Sequence, residues 1–390
     1  MDLPQGYFSK NETKVCRLVK SLYGLKQAPR QWNEKLTQAL KENNFVQSVS
    51  DYSLFVKSEN DIFVALLVYV DDIVITGNNE FEIEKFKTFL KTKFLIKDLG
   101  ELKYFLGIEV LKCEQGVCLS QRKYCIELIN EFGLLGSKPV AVPMDFNVKL
   151  NTEPNSNDAL LSNVTKYQKL VGKLIYLTNT RPDIAFAVQC LSRYMHSPLS
   201  SHLKLALRIL RYLKGSPGKG VLLSRSASIS LSAYVDADWG KCLQSRKSIT
   251  GYCVFFCGSL VSWKSKQQAA VSRSSTESEY RAMAATTAEI LWIINILTDL
   301  KVNNLLPVNL YCDNRSAIQI AANPVFHERT KHFEIDLHLV RDKCSTGAIR
   351  IVNVQSASQL ADIFTKGLGV NSHKFICDEL KLIDLFQKLD

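Results

Sequence analysis

Two apolar runs in the first hundred residues surround a pair of adjacent aspartates. The runs cover 62–70 and 73–76, each long enough for a strand, and a Gly-Asn-Asn turn signal follows the second run. This pattern predicts a β-hairpin that carries Asp71 and Asp72 at its tip. Adjacent carboxylates between buried strands repel each other, so a cation is an expected partner, and a solvated acidic turn is the simpler alternative.

Helical and strand patterns alternate over the next part of the chain. Apolar residues recur at helical spacing within 20–46, over 81–94 with lysines between them, and over 121–133. Between the last two of these predicted helices, residues 102–112 and 116–120 have the pattern of a second hairpin.

A change of composition then separates the two halves of the chain. Residues 137–163 are rich in proline, asparagine and serine and are predicted to form a linker or long loop. Residues 165–214 are basic and have helical spacing, with breaks expected near Pro182 and Pro198. We therefore expect two or three helices in this region.

From about residue 228 the pattern becomes that of an α/β domain. The predicted strands are 229–239, 248–258, 259–266, 307–313 and 349–355, and the predicted helices are 275–300, 314–323, 327–345 and 357–366. Three consecutive antiparallel strands followed by alternating helices and strands indicate a mixed sheet flanked by helices. The expected fold class is α/β here and α+β for the whole chain.

Length and charge narrow the classes of protein. A chain of 390 residues exceeds one ordinary hydrophobic core, so two or three domains are expected. Lys and Arg number 49 against 38 Asp and Glu, a net charge of +11. This excess suits a nucleic-acid partner, although basic proteins without such a partner are common.

Cysteine usage and apolar segments bear on the compartment. The 11 cysteines are scattered singly, which favours free thiols in a reducing compartment. No secretory signal is evident, and the longest apolar stretch is too short to cross a bilayer. We expect a cytoplasmic or nuclear protein without a membrane partner.

Several acidic residues in the second half stand where predicted strands and helices converge. They are Asp236, Asp238, Glu277, Glu279, Asp313 and Asp362. A carboxylate in the middle of a good strand, as at Asp236, is costly unless it is paired or binds a cation. Each of the others has a simpler explanation as a helix cap or a solvated residue. Converging carboxylates, however, suit hydrolysis of a phosphodiester with two metal ions.

Five motifs in this half carry a family resemblance. They are YVDADW, SRSSTESEYRAM, LYCDNRSAI, NPVFHERTKHFEID and QLADIFTKGL, which span about 228–370. Their order and spacing resemble those of copia-type retrotransposon ribonuclease H domains. The resemblance implies that Mg²⁺ or Mn²⁺ is bound by Asp236, Glu279, Asp313 and Asp362. Asp238 and Glu277 are the alternative ligands.

The resemblance also implies residues that grip a nucleic-acid substrate, either an RNA–DNA hybrid or a template–primer. These are Arg246, Arg273, Arg329, Lys331 and His332. Each has an ordinary solvated loop residue as its alternative. For His332, the implied roles are product release or proton transfer, and structural packing is an equal alternative.

The first half resembles copia-type reverse transcriptase. The tetrapeptide YVDD at 69–72 resembles the central motif of the palm, and VCRLVKSLYGLKQAPRQW, IKDLGELKYFLGIEV and CLSQRKYCIELI extend the likeness. The resemblance implies that Asp71 and Asp72 are catalytic metal ligands, and that Lys103 and Arg122 contact primer or template. Polymerase chemistry needs a third carboxylate upstream, and none is suitably placed. We therefore expect this chain alone not to polymerise DNA.

The combined prediction has four parts. A partial reverse-transcriptase palm and thumb cover 1–136, a linker and helical connection 137–227, a ribonuclease H-like domain 228–370, and a C-terminal tail 371–390. The favoured function is metal-dependent hydrolysis of RNA in RNA–DNA hybrids. The alternatives are a nucleic-acid-binding remnant without turnover, and a polymerase completed by other parts of the Pol polyprotein.

Overall fold

The structure is a computed structural model that divides into two compact units. It describes residues 6, 15, 17–19, 22, 24–70, 72–146, 148–226, 228–242, 244–323 and 334–386. These residues form ten α-helices and three β-sheets, which confirms the mixed α/β class. The first unit is Met1–Glu101 with Asn295–Lys301, and the second is Leu102–Ile294 with Val302–Asp390.

The first unit packs two helices against one antiparallel sheet. Its elements are α1 (Ala28–Lys41), β1 (Val46–Gln47), β2 (Leu54–Glu59), β3 (Ile62–Tyr69), β4 (Asp72–Gly77) and α2 (Glu80–Lys93). The strands lie side by side in chain order, and β3 and β4 form the predicted hairpin. Helically spaced Leu36 and Leu40 of α1 and Phe86 and Leu90 of α2 form one core with Leu66 of the sheet. The two predicted helices and the predicted hairpin are therefore present in this unit, and β1 and β2 are additional strands.

The second unit begins with a hairpin whose sheet is completed by distant parts of the chain. Its elements are β5 (Tyr104–Phe105), β6 (Ile108–Cys113), β7 (Gly116–Ser120), α3 (Arg122–Glu131), β8 (Lys219–Ser224) and β14 (Leu382–Asp384). The antiparallel order is β14-β8-β7-β6-β5. The sheet therefore joins the second predicted hairpin to one of the last segments of the chain.

Three helices follow in the second unit, where a basic helical region is predicted. They are α4 (Val164–Leu177), α5 (Ala185–Ser192) and α6 (Ser200–Gly215). Pro182 begins a short 3-10 turn between α4 and α5, and Pro198 precedes α6, as expected of a residue that interrupts helices. Leu170, Leu174 and Leu213 are fully buried in the core that these helices share with α3.

A buried ion pair lies at the junction of these helices. Arg181 Nη2 lies 2.7 Å from Asp183 Oδ2, and Arg181 Nε donates to Asp183 Oδ1 at 3.0 Å. Arg181 Nη1 donates to the Ser216 carbonyl, and the Tyr212 hydroxyl donates to Asp183. The hydrogen bonds to both charges offset the large cost of removing them from water. The Arg181 charge holds the pKa of Asp183 well below its usual range, against the opposing effect of burial.

The third sheet carries the C-terminal α/β pattern. Its strands are β9 (Leu231–Asp238), β10 (Ile249–Phe256), β11 (Ser259–Gln267), β12 (Val308–Cys312) and β13 (Ile349–Asn353). The spatial order is β11-β10-β9-β12-β13, with β9 to β11 antiparallel and β12 parallel to both β9 and β13. The helices of this region are α7 (Ser275–Asp299), α8 (Arg315–Ala322), α9 (Glu334–Ser345) and α10 (Val370–Glu379). This is the mixed sheet flanked by helices that the sequence predicts.

The predicted final helix at 357–366 is wrong. The structure has two 3-10 turns, Ser356–Ser358 and Leu360–Phe364, separated by Gln359 in an extended conformation with ψ 102°. The Gln359 side chain accepts a hydrogen bond from the Ala361 N–H, which begins the second turn instead of continuing the first. The segment predicted as a tail contains α10 and β14.

No helix among the described residues has the combined length and apolar character needed to cross a bilayer. The longest, α7, has 25 residues, and its sequence includes charged side chains such as Arg281 and Glu289.

We predict that Asp183→Asn lowers the free energy of unfolding by about 3–5 kcal/mol, because it leaves the Arg181 guanidinium buried without a counter-charge. Urea denaturation followed by circular dichroism measures the effect. Glu127→Gln is the matched control in the second unit, since its pair with Lys123 is wide at 3.9 Å and exposed. Equal, small losses in both variants would contradict the assigned role of the buried pair.

Candidate active site

The candidate site is built around Asp236, a carboxylate near the end of β9. Asp236 is only 4% exposed, on the central strand of its sheet. Asp236 Oδ2 accepts a hydrogen bond from Thr365 Oγ1, and Lys366 Nζ lies 3.5 Å away. A buried carboxylate with so few polar contacts dominates the electrostatics of the surrounding site.

Asp313 reaches the same edge of the sheet as Asp236 because β9 and β12 are parallel neighbours and both residues lie near the carboxyl ends. Ser356 Oγ donates to Asp313 Oδ2 at 2.8 Å. The following helix, α8, is capped by Asn314, whose side chain accepts from the Ala317 N–H. Asp313 is therefore not needed as the cap.

The start of α7 distinguishes Glu279 from Glu277. The Ser274 side chain caps the helix by accepting from the Glu277 N–H, and the Glu277 side chain accepts from the Arg273 N–H just before the cap. Glu277 also pairs with Arg281 at 3.0 Å, so it is a buried structural cap. Side chains two positions apart on a helix point in directions that differ by about 200°. Glu279 therefore faces the opposite side of α7 from Glu277. Carboxylate oxygens of Glu279 and Asp313 lie within 4.8 Å of each other and of Cys312 Sγ.

Asp362 enters the site on the second 3-10 turn. Lys366 Nζ lies 2.9 Å from Asp362 Oδ1, so this one ammonium contacts both Asp362 and Asp236. Gln359, which is 1% exposed, fixes the turn to the sheet by donating to the Val235 carbonyl at 2.9 Å. The structure thus brings all four carboxylates favoured by the sequence into one group.

The alternative ligand Asp238 has a different environment. Lys241 Nζ lies 2.7 Å from Asp238 Oδ2, and both side chains are partly exposed. The nearby Asp238 charge is a small contribution to the raised pKa of Asp236. Asp238 is therefore a neighbour of the group with its own counter-charge.

Burial and mutual repulsion make the carboxylates of the group hard to ionise. Burial is the main cause of the raised pKa of Asp236, and the Lys366 charge opposes it. Burial, then the charges of Asp236 and Asp313, raises the pKa of Glu279 to about 9. Burial, then the Asp236 charge, raises the pKa of Asp362 to about 7. The single ammonium of Lys366 does not compensate for the whole group.

The chemistry of the donors fits a divalent cation. Hard cations such as Mg²⁺ are bound through oxygen, and carboxylates are their usual protein ligands. Glu279 Oε2 is buried and has no hydrogen-bond partner among the described residues. A bound cation would satisfy this oxygen and offset the repulsion between the carboxylates. Cys312 is buried on β12, and its soft sulfur is a poor ligand for a hard cation, so it fits packing better than binding of Mg²⁺.

Comparisons with known proteins identify relatives of this chain. Residues 1–146 match the family model described as reverse transcriptase (RNA-dependent DNA polymerase). A retrovirus-related Pol polyprotein from transposon RE1 of Arabidopsis thaliana is 45% identical over 95% of this chain and 25% of its own length. A putative transposon Ty5-1 protein of Saccharomyces cerevisiae is 31% identical over 74% of this chain and 94% of its own length. The chain belongs to the copia-type retrotransposon Pol family.

The chain covers only part of the Pol polyproteins to which it is similar. It spans about a quarter of the length of the Arabidopsis Pol polyproteins that it matches. A solved ribonuclease H domain from Mycobacterium tuberculosis aligns with 39% of this chain and 98% of its own at 11% identity. Its TM-score of 0.28 is too low to support an argument.

A groove opens beside Asp362. Its volume is about 390 Å³, and its lining includes Ser356, Asn371, Ser372 and Phe375. A larger cavity of about 560 Å³ in the same unit contains none of the four carboxylates in its lining. We favour the smaller groove as the functional one because it meets the acidic group and offers both hydrogen-bonding and aromatic contacts.

The residues predicted to grip the substrate differ in their exposure. Arg246 and Arg273 are exposed, on the loops that follow β9 and precede α7. Lys103 is exposed, whereas the Arg122 guanidinium packs over the Phe386 ring at 4.3 Å. The remaining predicted residues, Arg329, Lys331 and His332, lie outside the described residues. Their substrate contacts stay predictions.

The YVDD hairpin of the Pol chain is described in part. Asp72 is exposed at the start of β4, opposite Tyr69, and Asp71 lies outside the described residues. Val70 has φ 47°, in the left-handed region that β-branched residues avoid. Such strain is common where a turn is shaped for function. The role of Asp71 and Asp72 as metal ligands stays a prediction.

Four residues that shape the site were assigned no role from the sequence. They are Gly251, Gln359, Thr365 and Lys366. A Cβ on Gly251 would lie 2.6 Å from Thr365 Cγ2 and 2.8 Å from Phe364 Cβ. Gly251 is also paired with Asp236 across β10 and β9, so the missing side chain lets the 3-10 turn approach the acidic group. Gln359, Thr365 and Lys366 lie within the QLADIFTKGL motif. That motif was the sequence signal that could have identified them.

We predict that Gly251→Ala lowers the free energy of unfolding by about 1–3 kcal/mol, because the added methyl group displaces the turn that carries Asp362. Urea denaturation measures the loss. Gly172→Ala on α4 is the control, since a Cβ there meets nothing within 4 Å. Alanine also favours a helix over glycine, so the control should be neutral or stabilising. Wild-type stability of Gly251→Ala would contradict the close approach.

Proposed function

We propose that the second unit hydrolyses the RNA strand of RNA–DNA hybrids in a reaction that depends on Mg²⁺ or Mn²⁺. The observation that carries the proposal is the convergence of Asp236, Glu279, Asp313 and Asp362 with one lysine as their basic contact within 4.0 Å among the described residues. A group held together only for stability would be expected to balance its charges. In this group, the negative charge of the carboxylates exceeds the positive charge of the one lysine that contacts them.

The four carboxylates have distinct proposed roles. Asp236, Glu279 and Asp313 hold the metal ions, and Asp362 contributes to the second ion and to product release. When bound, the ions would activate a water molecule and stabilise the leaving oxygen of the phosphodiester. Thr365 and Ser356 orient the carboxylates of Asp236 and Asp313 through their hydrogen bonds. Gln359 holds the turn that presents Asp362.

A nucleic-acid substrate fits the surroundings of the group. The chain has a net charge of +11, and Arg246 and Arg273 are exposed on loops that flank elements of the site. Arginines suit phosphate contacts because their planar guanidinium offers several donors. Contacts to 2′-hydroxyl groups would distinguish a hybrid from duplex DNA. The polar groove beside Asp362 is a candidate position for part of the substrate.

The proposal predicts that the purified chain cleaves a labelled RNA strand in an RNA–DNA hybrid with Mg²⁺ and not with EDTA. Asp236→Asn should reduce the rate about 100-fold or more, because metal stabilisation of the transition state amounts to several kcal/mol. Asp238→Asn is the matched control two residues away, and it should stay within several-fold of wild type because Asp238 is paired with Lys241.

Different failures would point to different corrections. A folded wild-type protein that binds the hybrid without cleaving it would favour a nucleic-acid-binding remnant of a transposon. Equal loss of activity in Asp236→Asn and Asp238→Asn would contradict the assignment of the ligands. Equal cleavage of duplex DNA would contradict the proposed substrate.

A further inference from the structure

The Lys366 ammonium contacts two of the carboxylates that are proposed to hold the metal ions. Its Nζ is 2.9 Å from Asp362 Oδ1 and 3.5 Å from Asp236 Oδ2. Its backbone N–H donates to the Asp362 carbonyl, which fixes the start of the side chain beside the acidic group. The ammonium therefore contacts one oxygen from each of two carboxylates on different elements.

The position is held by charge and not by tight packing. The Lys366 side chain is 32% exposed, whereas the Asp236 side chain is 5% exposed. A lysine side chain is a compact charge on a flexible stem of four carbons, so it can leave the carboxylates without moving the backbone. The carboxylates, in contrast, are fixed by the sheet and by the hydrogen bonds of Thr365 and Gln359.

We propose that Lys366 is an internal competitor for the cation, occupying the position between Asp236 and Asp362 until a divalent ion displaces it. This inference rests on the proposed function. Its consequence is that Lys366 weakens binding of the ion at these two carboxylates while keeping the metal-free site folded. A lysine that only orients Asp362 would have the opposite effect or none on ion affinity.

Titration of the protein with Mn²⁺, followed by electron paramagnetic resonance of the free ion, tests the inference. Lys366→Met should bind Mn²⁺ roughly tenfold more tightly than wild type, at the lower end of what one charge at this distance does to the proton affinity of a carboxylate. Lys366→Arg keeps the charge and should remain closer to wild type. Lys241→Met is the control, because Lys241 pairs with Asp238 and contacts neither Asp236 nor Asp362 within 4.0 Å.

A second measurement uses the wild-type protein and does not depend on the folding of a variant. Labelling of lysine amines with an acylating reagent, followed by mass spectrometry, reports release of each ammonium. Mg²⁺ should increase the labelling of Lys366 several-fold and leave that of Lys241 unchanged.

The outcomes separate this inference from the proposed function. Mn²⁺ binding by wild type with unchanged or weaker affinity in Lys366→Met, or Mg²⁺ binding without increased labelling of Lys366, would overturn the competition. Absence of Mn²⁺ binding in both wild type and Lys366→Met would overturn the proposed function and the competition with it.

Discussion

The arrangement of the second unit depends on one unfavourable fact, the burial of a carboxylate on a central strand. Asp236 is 4% exposed on β9, and burial raises its pKa. Removing a carboxylate from water is costly unless an opposite charge or hydrogen bonds replace the water. One hydroxyl and one shared ammonium provide only part of this replacement. The three other carboxylates brought near it increase the demand for positive charge.

The fold brings these carboxylates together from four separate elements. Parallel pairing of β9 and β12 places Asp313 beside Asp236, and the hydrogen bonds of Ser274 and Glu277 at the start of α7 fix which glutamate turns inward. A glycine on β10 provides the space for the turn that carries Asp362. Each of these features brings another carboxylate into the group and so increases the repulsion within it. The proposed cation explains the arrangement better than stability of the metal-free fold does.

Local sequence patterns were sufficient for most of the elements and for the acidic group. Alternation along β9 identified Asp236, and the apolar strand before Asp313 identified its position at a strand end. The pattern could not choose between Glu277 and Glu279 from the residues themselves. That choice depends on the hydrogen bonds that hold Glu277 at the start of α7, and the family resemblance favoured the residue that the structure turns inward.

The errors and omissions lie where contacts between distant residues decide the conformation. The predicted helix at 357–366 failed because Gln359 bonds to the Val235 carbonyl, 124 residues earlier, and begins a new turn. The importance of Gly251 depends on the approach of Thr365 and Phe364. Lys366 is only one of many lysines in the sequence until the turn places it between two carboxylates. Such contacts leave no periodic signal in the chain.

In the proposed site, the buried carboxylates require a cation once they lose their protons. A raised folded-state pKa means that the native protein holds more protons than the unfolded chain between the ordinary carboxyl pKa and the raised value. Without metal, the contribution of Glu279 to stability should therefore be fully present below about pH 4, and be lost as the pH rises towards its pKa of about 9.

The most direct measurement is thermal unfolding with and without Mg²⁺ at pH 5.5 and pH 8.5, for wild type and Glu279→Gln. The account predicts a clearly larger increase in Tm from Mg²⁺ at pH 8.5, and a smaller loss of metal-free stability with pH in the variant. Equal stabilisation by Mg²⁺ at both pH values, together with the same pH dependence in Glu279→Gln, would contradict it.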